Sequence, residues 1–315
     1  MTSSERTALE NSKRAIGTAA CLIIGDEVLG GKTVDTNSSL FAKYCFSIGV
    51  QLKRVEVIAD DEDHIIEAAR LHQHPLPVPP SRQVDSLRIN FDVYRSMLMM
   101  AIYATQRHDD ITYQSIAKAF NLNLKFHEEA FNRMRRLSKP QQAKPDFDWD
   151  TPSPALTARL RMVHLPTDET RPISEQALFV DDELWVPVSV VNGNIYILPG
   201  VPSLFERLLT RLRPILLPKL IDPEGKGIHR LMFATPLYES TIAPYLTDLA
   251  ARVEPRGIKV GSYPRWGKKR NTVTLVGTDL EYMESLVDEV EKNVQGRRVS
   301  REDEDDPVDE PEEQK

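Results

Sequence analysis

Residues 18–25, TAACLIIG, form an unbroken apolar run closed by a glycine. A strand points successive side chains to opposite faces, so an all-apolar strand has both faces buried, the condition of a strand inside a parallel sheet. The period then changes. Leu40, Phe41, Tyr44, Cys45 and Ile48 share one helical face, with Asn37 or Ser38 placed to cap the helix and Gly49 to stop it. Residues 50–58 (VQLKRVEVI) return to strand character, and 60–63 open another helix carrying Ile65, Ile66, Ala68 and Ala69. This alternation predicts an α/β fold: a doubly wound, mostly parallel sheet with helices on both faces.

A third strand is due next, and no strand pattern is evident. Residues 72–80 (HQHPLPVPP) hold four prolines, which exclude helix and central strand. Residues 81–106 are moderately apolar but periodic in neither sense. A sheet without that strand would expose its edges, so poor solubility is expected. Pattern resumes at 109–120 (DDITYQSIAKAF), an Asp-capped helix, followed by a second helix over 126–137. A linker at 139–154 leads to a short helix at 155–162. Segments 185–191 and 194–198 flank Asn192-Gly193, a hairpin signal. In LPGVPSLFERLL, Gly200 gives a turn, Pro202 suits the first helical turn, and Leu204, Phe205, Leu208 and Leu209 form a buried stripe. Beyond 221–227 (IDPEGKG) the pattern reads β-α-β-β-α. The expected organisation is a flexible N-terminus (1–17), an α/β domain (18–218) with an atypical segment at 72–107, a small α+β domain (228–296) and a disordered acidic tail (297–315).

Charge sharpens that division. The net charge is −7, yet residues 302–315 hold nine acidic residues and one lysine, leaving the rest near +1. A body without basic excess argues against nucleic acid as a partner. The two cysteines, Cys21 and Cys45, lie in apolar segments and read as buried thiols of a reducing compartment. No apolar run approaches the ~20 residues that cross a bilayer, and residues 1–17 lack the apolar core of a signal peptide. A cytoplasmic location without membrane contact is expected.

Ligands of open α/β sheets settle at the carboxyl ends of the strands. Three such loops carry suggestive residues: Gly25-Asp26-Glu27, Asp35-Thr36-Asn37-Ser38 at a helix start, and Asp109-Asp110-Ile111-Thr112 at another. Helix starts favour anions through free N–H groups. Carboxylates at two loop mouths suit a hard divalent cation bridging a diphosphate. Each feature also has a plainer reading. Asp at a helix start is most often a cap, Asp26 and Glu27 suit a solvated strand end, and His72 with His74 suits a surface loop.

The same residues carry a resemblance. Residues 18–70, 108–134 and 194–209 resemble, in order, the opening, middle and close of the MoaB/Mog domain of molybdopterin-binding proteins, CinA-type proteins and FAD synthases. Residues 234–253 and 258–264 resemble the small extension of the FAD-synthase branch. GDEVLGG, DTNS, DDIT and LPGVP are the specific motifs. The resemblance implies a small-molecule nucleotide or pterin ligand, a divalent cation (Mg, Mn or Co), no further organic cofactor, and a fold whose relatives often form homo-oligomers. It places Gly25, Asp26, Glu27, Asn37, Ser38 and Thr112 by the nucleotide and its phosphates, with Gly200 and Pro202 shaping the floor. Asp109 and Asp110 would be catalytic and, with Asp26, would hold the metal. The implied activity is that of a metal-dependent pyrophosphatase acting on FAD or a related dinucleotide. Molybdopterin adenylylation in cofactor biosynthesis, or an inactive nucleotide-binding module, are the alternatives.

One departure bears on all of these. The family carries a Ser/Thr-Gly-Gly-x-Gly-Pro-Thr loop directly before Asp-Asp, whereas here Tyr103-Ala104-Thr105-Gln106-Arg107 precedes His108, and no glycine occurs between Gly49 and Gly193. Backbone N–H groups that crowd a phosphate need the φ > 0 and missing Cβ of glycine. Three origins account for the change: an altered splicing or reading of the gene, a paralogue that kept the fold as a binding module, or a different cradle built from 81–107.

Overall fold

The computed structural model describes residues 3–71, 97–102, 111–138, 147–224, 227–264, 270–301 and 304. The chain divides into two compact units, 1–225 and 226–315.

The first unit opens with α1 (Ser3–Lys13), followed by β1 (Thr18–Ile24), the short α2 (Asp26–Leu29), α3 (Asn37–Ser47), β2 (Gln51–Ile58) and α4 (Glu62–Leu71). After β3 (Leu98–Ile102) come α5 (Thr112–Ala119), β4 (Asn123–Phe126), α6 (Glu128–Leu137), α7 (Pro154–Arg161) and β5 (His164–Thr167). The unit closes with β6 (Ala177–Leu178), β7 (Val188–Val191), β8 (Ile195–Pro199) and α8 (Pro202–Leu216). Six strands form one sheet in the order β2-β1-β3-β8-β7-β6. The first four are mutually parallel, and β7 and β6 continue the sheet antiparallel. A separate ribbon pairs β4 with β5.

The all-apolar β1 behaves as its pattern dictates. Cys21 and Ile23 face one side, against Phe41 and Cys45 of α3 and Phe205, Leu208 and Leu212 of α8. Ala20, Leu22 and Ile24 face the other, against Ile65 and Ala68 of α4 and Ile116 of α5. Burial pushes both cysteine thiols up, Cys21 to about 12, so both stay protonated and unreactive.

Several expectations need correction. The missing third strand exists: β3 pairs in parallel with β1 on one side and β8 on the other, so the sheet is continuous and its expected exposed edges are closed. Its five residues, LMMAI, lie inside the segment that looked aperiodic. A strand paired in parallel on both edges needs no alternation, and so short a run carries no period of its own. The remainder of the atypical segment, 72–96 and 103–107, lies outside the described residues.

The N-terminus, expected as flexible, holds α1. Asn11 Nδ2 donates to the Asn192 carbonyl at 3.2 Å, at the tip of the β7–β8 hairpin. Asn192 (φ 51) and Gly193 (φ 76) both adopt the left-handed conformation that the Asn-Gly signal implies. A Cβ on Gly193 would stand 2.4 Å from the Ala8 carbonyl oxygen, so α1 sits where only glycine leaves room. Finally, α5 begins at Thr112, and Ile111 at its cap position supplies no side-chain cap. The expected Asp cap, Asp109 or Asp110, lies outside the described residues.

The second unit contains β9 (His229–Thr235), α9 (Glu239–Val253), β10 (Lys259–Tyr263), β11 (Asn271–Gly277), α10 (Leu280–Ser285), α11 (Val287–Val294) and β12 (Arg297–Val299). Its antiparallel sheet runs β10-β11-β9-β12, the split β-α-β arrangement with a fourth strand. Phe233, Leu249, Val273, Leu275, Met283 and Val290 form its core. Residues 297–299, expected to begin the disordered tail, pair instead with β9, where Val299 is buried opposite Met232.

Candidate functional site

The parallel strands β1, β3 and β8 end on the same side of the sheet, where β1 and β8 hand the chain to turns. The Gly25 N–H donates to the Ile58 carbonyl at 3.1 Å, which closes the ends of β1 and β2 together. Asp26, exposed at the start of α2, accepts from the Asp60 N–H through Oδ1 at 3.1 Å and so ties the two turns. Glu27 is half-buried beside it, and its carbonyl accepts from Thr33 N–H at 3.0 Å.

The DTNS motif is built differently from its sequence reading. Asp35, rather than Asn37 or Ser38, is the cap: its Oδ1 accepts from Asn37 N–H at 2.9 Å and from Ser38 N–H at 3.1 Å. Those two donors of the α3 start are therefore already used, and an anion would have to displace Asp35 to reach them. Asn37 is fully buried, and its Nδ2 donates to the Gly200 carbonyl at 2.8 Å. It clamps the start of α3 to the β8–α8 turn. That turn then exposes Val201, and Pro202 occupies the first helical position, where its missing N–H costs nothing.

Gly25, Asp26, Glu27, Asn37, Ser38, Gly200 and Pro202 are thus gathered at one sheet end. Thr112 begins the helix that follows the third parallel strand and is fully buried. Asp109 and Asp110, named above as catalytic and metal-holding, lie outside the described residues, so of the metal set only Asp26 is described. Among the described residues no three His, Cys, Asp or Glu side chains cluster as a metal site.

Sequence reasoning passed over two groups. Asp60 is the backbone partner of Asp26. Asp181 is the other: its buried carboxylate accepts from Arg207 Nε at 2.6 Å and Nη2 at 2.8 Å, which pins the β6–β7 connection onto α8. The Arg207 guanidinium holds the Asp181 carboxyl below its ordinary range. The signal was an acidic run, Asp181-Asp182-Glu183, answered by Arg207 and Arg211 one helical turn apart.

Comparison with known proteins adds the following. Residues 20–74 match the family "Probable molybdopterin binding domain", and residues 228–303 match "FAD synthase, middle domain". A "Probable FAD synthase" of Caenorhabditis elegans is 30% identical over 288 residues, which are 90% of this chain and 51% of that protein. That of Caenorhabditis briggsae is 28% identical over 278 residues, 85% and 48% respectively. The chain spans about half the length of these relatives. A protein of Pyrococcus abyssi is 26% identical over 276 residues, 86% of this chain and 94% of its own. Among solved structures, CinA of Thermoplasma acidophilum, described as of unknown function, is 24% identical with a TM-score of 0.45, covering 64% of this chain and 98% of its own. No helix among the described residues is long and apolar enough to cross a membrane. The chain is homologous to the FAD synthases and joins a molybdopterin-binding domain of the MoaB/Mog type to an FAD-synthase middle domain.

Proposed function

We propose that the carboxyl end of the parallel sheet binds the diphosphate of a dinucleotide such as FAD, as in a metal-dependent pyrophosphatase, and that this chain binds its ligand but turns it over poorly. The observation that carries the reading is the stretch between β3, which ends at Ile102, and α5, which starts at Thr112. The resemblance assigns this position to the Gly-rich phosphate loop, and the intervening residues 103–110 (YATQRHDD) contain no glycine. The carboxylates survive where the cradle does not.

The hydrolysis splits one phosphoanhydride. Water adds at phosphorus in line with the departing phosphate oxygen, the P–O bond breaks, and FAD gives AMP and FMN with release of protons. Asp26 offers hard carboxylate oxygens, and with Asp109 and Asp110 it would form a donor set suited to Mg, Mn or Co. A bound cation would supply charge neutralisation of the diphosphate. The chain's own part is positioning: Asn37 and Gly200 hold the α3 and β8–α8 turns together, and Asp35 fixes the α3 start.

The test replaces residues 103–108 by a Ser-Gly-Gly-Val-Gly-Pro-Thr loop and follows AMP and FMN release from FAD in Mg, Mn and Co. The restored chain should cleave FAD, the unaltered chain should bind it with little turnover, and Asp110→Asn in the restored chain should abolish cleavage. A restored chain that neither binds nor cleaves any adenine dinucleotide overturns the proposal. The match of residues 20–74 to a molybdopterin-binding family favours a second reading, a pterin ligand. Binding of molybdopterin with FAD ignored would select it.

A further inference from the structure

A dinucleotide presents two ring systems beyond its diphosphate, and we propose that an open groove between α2, β2 and α4 seats an amine-bearing base, adenine, rather than the flavin ring. This rests on the diphosphate reading above. The groove has a volume of about 370 Å³, at the small end of the ~300–1,000 Å³ typical of ligand pockets. It adjoins the diphosphate end of the sheet through shared elements. Leu29, 55% exposed on its rim, closes the same short helix that Asp26 opens, and Ala59 precedes Asp60, the partner of Asp26.

Its chemistry is divided. Leu29, Ile58, Ala59 and Leu71 offer an apolar wall against which a flat ring can lie. An exposed leucine on such a rim gains by being covered. His64 and Glu67, both from α4 as is Leu71, line the same groove. A third polar group, Glu56, is paired with Arg54 at 3.0 Å and so partly neutralised. Among the described residues the Glu67 carboxylate has no hydrogen-bond or ion-pair partner.

A carboxylate only accepts hydrogen bonds, so it favours the exocyclic amine of adenine. It repels a carbonyl in the same place, which is what inosine, and the dione edge of the flavin ring, would present. A His64 N–H can donate to N1 of adenine, which accepts. With Glu67 at the exocyclic position, hypoxanthine would set its carbonyl against the carboxylate and its N1–H against the His64 donor, losing both contacts. The groove therefore reads the adenine half of the dinucleotide and leaves the flavin half outside.

The experiment titrates the full chain with AMP, IMP, FMN and, separately, inorganic pyrophosphate with Mn²⁺, by calorimetry. AMP should bind at least about tenfold more tightly than IMP or FMN, the scale of one charge-assisted hydrogen bond. Glu67→Gln, whose amide can also donate, should bring AMP and IMP to near-equal affinity while the pyrophosphate response stays unchanged. Equal AMP and IMP binding in the unaltered chain, or an unchanged ratio in Glu67→Gln, overturns the base assignment. If pyrophosphate with Mn²⁺ still binds in that case, the diphosphate reading survives. If neither AMP nor pyrophosphate binds, both fall together.

Discussion

Asn37 shows how one buried amide holds the site's frame. Its Nδ2–H bond to the Gly200 carbonyl joins two turns that lie 163 residues apart in sequence, in a place no solvent reaches. Removing the donor in Asn37→Ala leaves a carbonyl unpaired, at a cost of ~1–3 kcal/mol. Asn37→Asp is the more informative change, because a buried carboxylate facing a carbonyl oxygen has its pKa raised by desolvation and repulsion. A group whose folded pKa is raised stabilises the fold below its unfolded pKa and loses that contribution as pH rises. A protonated Asp can donate to Gly200; an ionised one cannot. Urea unfolding should therefore rank Asn37→Asp below Asn37→Ala at pH 8 and bring the two together, or reverse them, near pH 4. An order that does not respond to pH would show that the amide–carbonyl contact contributes nothing.

At the scale of elements, legibility followed burial and distance. The elements β1, α3 and α8 could be read because their side-chain periods are complete within the segment: Phe41 and Cys45 in α3, and Phe205, Leu208, Leu209 and Leu212 in α8, all meet the same core. By contrast β3 and β12 are made strands by remote partners, β1 and β8 for Leu98–Ile102 and β9 for Arg297–Val299, and no local pattern reports a partner. The polar sequence of α1 gives a similar result, since what holds it is a hairpin tip 181 residues away. At the site, Asp35 belongs to the DTNS motif, yet its capping of Asn37 and Ser38 depends on a turn geometry that residue spacing does not fix. The helix α6 carries a prediction of its own. His127 caps it by accepting from Ala130 N–H through Nδ1 at 3.2 Å, with its ring against Phe179. Burial lowers the His127 pKa from 6.5, so the fold favours the neutral ring that can accept. The cap therefore contributes fully above the unfolded pKa and is lost as pH falls through the lower folded value. Amide exchange in α6 should speed up between pH 7 and 5 relative to α8. His127→Ser, a cap that does not titrate in this range, should remove that difference at a cost of no more than about 1 kcal/mol. Equal pH responses of the two helices in the unaltered chain would refute the assignment.

Each of the two units carries its own buried core, and this has a consequence for how damage spreads. In the first, the sheet is covered on both faces by helices, with Phe205 fully buried among α3, α8 and β1. In the second, Phe233 is fully buried at the centre of a four-stranded sheet, against Ile242, Leu249 and Met283. Deleting a ring of that size from a closed core removes transfer energy and leaves a cavity, together ~3–5 kcal/mol. For a unit of under a hundred residues that is a large part of its stability. Phe233→Ala should therefore strip exchange protection from β9, β11 and α9 while β1, β2 and β8 keep theirs, and nucleotide binding at the first unit should persist. Phe205→Ala should do the reverse and abolish binding, because α8 and its first turn frame the site. Loss of protection in both units from either change would mean that the chain unfolds as one cooperative body.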